Sequence, residues 1–72
     1  MLVLPNPTTG TFEVTGISYG QYEIMGMTGQ LLQSGELTEG LSIDISGFPK
    51  GIYFLSVKVN EQKTIVERIV KI

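Results

Sequence analysis

Apolar and polar residues alternate with a period of two along most of the chain, and turns rich in glycine or proline interrupt the alternation. The clearest run is Tyr53 to Val59. Tyr53, Leu55, Val57 and Val59 share one face there, because successive side chains of a strand point to opposite sides. Ile52 and Phe54 open the other face, and Ser56 and Lys58 continue it. The pattern predicts a central strand, buried on both sides where it begins and half exposed where it ends. Just upstream, Ile43 and Ile45 alternate with Ser42 and Asp44, a short strand with one apolar face. The run Ser46–Gly51 breaks it. Pro49 fixes its own φ and pushes Phe48 toward extended geometry, while Gly51 accepts angles other residues avoid. Phe48 reads as a plug at one end of the core.

The rest of the chain follows the same rhythm. Leu2–Leu4 is a brief apolar strand, ended by the run Pro5–Gly10. Pro7 suits the second position of a β-turn there, Asn6 can cap that turn, and Gly10 allows a positive φ on exit. Phe12 and Val14 mark one face of Thr11–Thr15. Gly16–Gly20 is a connection, with a bulky side chain available to cover the end of the core. Tyr22 and Ile24 mark one face of Gln21–Met25, which turns through Gly26–Gly29 into Gln30–Ser34, a hairpin. Glu36–Gly40 reads as a polar link carrying Leu37. Asn60–Lys63 is a second hairpin turn, leading to Thr64–Ile72, which is aliphatic on both faces.

Seven short strands without a helical repeat predict an all-β antiparallel sandwich. The core is expected to hold Phe12, Val14, Ile24, Leu32, Ile43, Ile45, Tyr53, Leu55 and Val57. Leu2–Leu4, apolar and at an edge, invites self-association through its unpaired backbone groups.

Composition removes whole classes of function. Seventy-two residues make one small domain, with no cysteine to reinforce it or to bind a metal as thiolate. With no histidine either, Ser/His/Asp and Cys/His arrangements are impossible. Asp44 is the only aspartate and the glutamates are scattered, so neither a calcium loop nor a paired-carboxylate cleft is expected. Catalytic, cofactor-binding and metal-ligating residues are accordingly expected to be none, and the domain not to be an enzyme. A net charge of −2 argues against nucleic acid. No apolar run is long enough to span a membrane. Met1-Leu2-Val3-Leu4 reaches a proline with no basic leader, so a secretory signal is not expected here. The chain reads as residues 1–72 of a longer protein, excised from it.

Several motifs together resemble a known family. Pro5-Asn6-Pro7-Thr8-Thr9-Gly10 followed by a Phe/Val strand looks like the opening of the type A C-terminal sorting domain of the type IX secretion system. Glu23–Leu32 is similar to its middle motif, and Ile43–Ser46 with Phe48–Tyr53 to its third. Arg68-Ile69-Val70-Lys71-Ile72 resembles its C-terminus. The chain departs from the family's usual pattern at Gly26, where an aspartate is common, and at Met25, often aromatic. The resemblance implies an immunoglobulin-like β-sandwich at the end of a cargo protein. It also implies passage from the periplasm through an outer-membrane translocon. Cleavage by a sortase-like surface protease then leaves the cargo released or attached at the cell surface.

Lys50, Gly51, Arg68, Val70, Lys71 and Ile72 are the candidates for partner recognition, being charged or shaped elements inside the two later motifs. The competing reading of each is service to the fold or to a solvated face. The alternative function is an accessory adhesion or carbohydrate-binding sandwich. Against sugar binding stand the absence of tryptophan and the placement of most Tyr and Phe at core positions.

Overall fold

The computed structural model describes residues 1–72 and contains seven strands and no helix. They are β1 (Leu2–Leu4), β2 (Thr11–Thr15), β3 (Tyr19–Met25), β4 (Leu31–Thr38), β5 (Ser42–Asp44), β6 (Gly51–Asn60) and β7 (Lys63–Lys71). Two antiparallel sheets form, in the orders β1-β2-β5 and β4-β3-β6-β7. Consecutive strands thus pair within a sheet in places and cross between sheets elsewhere. This is the connectivity of an immunoglobulin-like sandwich with its fourth strand in the larger sheet.

Alternation explains how the sheets close on one another. Val3, Phe12, Val14 and Ile43 of the smaller sheet meet Tyr22, Ile24, Leu37, Tyr53, Leu55, Val57 and Ile69 of the larger, with Ile17 and Ile45 from connections. Buried residues fall at every second position of β2, β3 and the first part of β6, as the pleat requires, while β4 and β7 contribute one each, Leu37 and Ile69. Phe48 packs against this core without being fully buried, its ring centroid 5.3 Å from that of Tyr53. The Tyr53 hydroxyl donates to the carbonyl of Pro49, which ties the connection back onto β6.

Four expectations need correction. Leu32 is not a core residue: it is 38% exposed. Met25 pairs with Leu31 and Ile24 with Gln33, so a bulge leaves Leu32 opposite no partner. The inward positions of β4 become Gln33, Gly35 and Leu37, sharing a face with Ile24, Tyr22 and Gly20. Leu37, read as part of a polar link, is consequently fully buried at the end of an extended β4. Second, β6 is not buried on both sides where it begins: Ile52 and Phe54 are half-buried on the outer face, shielded by neighbouring side chains alone. Third, Gly10 does not have a positive φ. A Cβ at that position would lie 3.1 Å from Cβ of Ser46, so close approach is what calls for glycine. Fourth, the Asn6 side chain does not cap its own turn; its partners lie on β7.

Candidate functional site

Register brings the candidate residues together. Gly51 pairs with Lys71, Ile52 with Val70 and Phe54 with Arg68, so the start of β6 and the end of β7 form one platform. Lys50 and Ile72 adjoin this pair of strand ends. Five of the six candidates therefore cluster at the tip, and Arg68 lies further along β7. Gly51 has φ 155, with no heavy atom within 4 Å of where a Cβ would stand. Its need for glycine lies in the backbone and not in crowding.

Side-chain direction follows from parity. Ile69 is fully buried, so Arg68, Val70 and Ile72 lie on the outer face with Ile52 and Phe54. Met25, opposite Phe54, extends the same surface onto β3. Val66 and Leu31, 59% and 54% exposed, continue it on either side. The face is apolar and basic. Arg68 supplies its charge, while Lys71, of the same parity as Ile69, points to the other side of β7 at the end of the sheet. Lys50, Arg68 and Lys71 make no ion pair, and the chain's one ion pair, Lys58 with Glu61 at 3.7 Å, lies at the opposite end of β6. The other half of this outer face is polar. Gln21, Glu23, Ser34, Glu36, Ser56, Lys58 and Thr64 line a shallow depression there.

The opening motif reaches this site from the other sheet. The Asn6 carboxamide donates from Nδ2 to the Arg68 carbonyl at 2.7 Å and accepts from the Val70 N–H at 3.0 Å. The Thr8 N–H then donates to the Val70 carbonyl at 2.8 Å, and the Ile72 N–H donates to the Thr8 carbonyl at 2.9 Å. Thr8 thus bridges Lys71 in parallel fashion. Two bonds from a side chain and two from a backbone cover the outer edge of the last β7 residues. Asn6 and Thr8 were not among the expected site residues. Pro–Asn–Pro–Thr is good turn chemistry in isolation, so nothing local marks it as a partner for a strand 62 residues away.

The loop is itself held firmly. Thr8 is 1% exposed. Its hydroxyl donates to the Thr11 carbonyl at 2.6 Å and accepts from the Gly10 N–H at 3.0 Å. The Gly10 carbonyl takes the Ile45 N–H at 2.7 Å. At the exit of β5, the Ser46 hydroxyl and its backbone N–H, the latter 2.8 Å from Asp44 Oδ1, hold the Asp44 carboxyl below its ordinary pKa.

One family model matches almost the entire chain: that of the secretion system C-terminal sorting domain, over residues 2–72. The chain belongs to this family, and it is a C-terminal sorting signal for type IX secretion. The family is one of sorting signals and not of enzymes. Such a signal implies engagement with the secretion system and export across the outer membrane, to the cell surface or beyond. The adhesive or carbohydrate-binding alternative gains no support. A search of curated proteins finds no match.

Proposed function

We propose that the secretion machinery reads this domain in its folded form, at the tip formed by Lys50, Gly51, Val70, Lys71 and Ile72, with Arg68 beside it on β7. The observation that carries the reading is their convergence. Two motifs about twenty residues apart in sequence become cross-strand neighbours through the pairing of Gly51 with Lys71 and Ile52 with Val70. An unfolded chain presents no such surface. Apolar side chains beside Arg68, with Lys50 and Lys71 at the ends of the two strands and all three free of ion pairs, suit a partner with an acidic rim around an apolar seat. In this reading residues 1–72 close a longer cargo protein that enters the periplasm by its own N-terminal signal. A translocon component binds the tip, and a sortase-like protease at the surface removes the domain.

The test is a reporter carrying residues 1–72 at its C-terminus, expressed in a host with the type IX system, beside thermal melts of the 72-residue chain. Lys71→Glu reverses a charge on a half-buried residue and is expected to lower secretion with little change in Tm. Deleting Val70-Lys71-Ile72 is expected to lower both. Normal secretion of both variants would rule the tip out as the recognition surface.

A further inference from the structure

We infer that Asn6 is a positioning residue of the sorting signal: its carboxamide acts as a surrogate peptide group that holds the C-terminal strand in the form the machinery reads. The inference rests on the reading of the tip given above, and concerns what keeps that tip in shape.

The argument begins with what an edge strand lacks. The last residues of β7 have no neighbouring strand on their outer side, since β7 ends the larger sheet. Their outward N–H and C=O groups would face only water, and terminal strands of that kind fray. Here Asn6 supplies an acceptor for Val70 and a donor for Arg68, and Thr8 continues the ladder by one parallel bridge. The assignment of the carboxamide is forced, because the Val70 N–H can only donate and the Arg68 carbonyl can only accept. Aspartate would keep the acceptor and lose the donor. Alanine loses both.

Placement makes this more than local tidying. The loop runs from the β7 edge, through Thr8, to Gly10, which packs on Ser46 and accepts from Ile45. It therefore links the end of β7 to the connection that leads into Lys50 and Gly51. Both halves of the tip are referenced to the same six-residue loop. The opening and closing motifs of the chain are one structural unit.

The experiment uses Asn6→Ala, Asn6→Asp, the Val70–Ile72 deletion and Ile17→Val, a mild core change beyond the end of β2 that is remote from the loop. Each is measured for amide hydrogen exchange, Tm and secretion of the reporter fusion. In Asn6→Ala the Val70 amide is expected to speed up at least about ten-fold more than the Leu55 amide, whose change reports only the loss of global stability. Secretion is expected to fall several-fold at a temperature where the domain is still folded. Asn6→Asp, which still accepts from Val70, should fall between parent and alanine in both readouts. Ile17→Val should secrete like the parent even at a comparable loss of Tm. If it loses secretion equally, Asn6 acts through stability alone and the inference fails. Unchanged exchange at Val70 in Asn6→Ala overturns it as well. If Asn6→Ala frees Val70 yet secretes normally while the deletion abolishes secretion, positioning by Asn6 is wrong and the tip remains the signal. If the deletion also secretes normally, the tip reading falls and takes this inference with it.

Discussion

The two edges of the larger sheet are treated differently. β4, at one edge, runs for eight residues with a single fully buried side chain, Leu37, and no part of the chain lies along its outer side. β7, at the other, is roofed over its last residues by Asn6 and Thr8. β4 is made safe by its own irregularity. The bulge at Leu32 breaks its register, and Gln33, Ser34 and Glu36 make it polar. Its central inward position is Gly35, where a Cβ would come 3.0 Å from Cε2 of Tyr22, so the tyrosine ring takes the space a β4 side chain would fill. The Tyr22 hydroxyl accepts from Gln33 Nε2 at 3.1 Å, which completes the cover with a polar contact. An edge defended by bulge and polarity can vary in detail. An edge held by four directed hydrogen bonds has one geometry, and that is where the resemblance to the family's terminal motif lies.

Core substitutions on the two edges should separate most widely. Ile69→Ala on β7 removes a fully buried side chain and should cost about 2–5 kcal/mol, much of the stability of so small a domain. Leu32→Ala on β4 should stay within about 0.5 kcal/mol, because the side chain is already at the surface. Urea midpoints on the isolated domain measure both. Equal losses would mean that Leu32 is packed inside after all.

Next in size is the backbone at the tip. Gly51→Val should cost about 1–3 kcal/mol through its φ of 155, although a Cβ there would meet no neighbour within 4 Å. Gly47→Ala, equally open and free of a positive φ, should leave the melting temperature nearly unchanged. A matched pair of melts distinguishes conformation from crowding, and a tolerant Gly51 would remove the conformational argument.

Asn6→Ala should come third, at about 1–2 kcal/mol for two hydrogen bonds partly replaced by water. Ser34→Ala, on the open edge and exposed, with no hydrogen bond from its side chain, should change Tm by less than the measurement error. If the two are indistinguishable, the roof over β7 contributes nothing to stability.

The smallest effect concerns acid. β5 is an edge of the smaller sheet, and Asp44 at its end opens the following turn by accepting from the Ser46 N–H. Its pKa is depressed in the fold, so the contribution is present above the unfolded-state pKa and is lost as pH falls through the folded value. Melts of the parent should therefore lose a little stability below about pH 4. Asp44→Asn should flatten that part of the profile, while the Asn6 carboxamide, which does not titrate, adds no pH dependence. An unchanged slope in Asp44→Asn would assign the acid sensitivity to other carboxylates.

Local pattern was enough to place most strands, the antiparallel pairing and eight of the nine expected core residues. A period of two and the preferences of glycine and proline are properties of neighbouring residues, and they survive without the rest of the molecule. The family motifs that contain Lys50, Gly51 and Val70 to Ile72 were legible too, each on its own. What the sequence could not set was anything that depends on register between distant strands. A one-residue bulge moved Leu32 out and left Leu37 to fill the core, because a single slip exchanges the two faces of a strand. Gly10 is glycine because Ser46 passes beside it, and Asn6 matters because β7 passes beside it. Both partners lie far along the chain. A hydrogen bond between residues 6 and 70 has no local signature, and only the closing of the two sheets on one another decides that it forms.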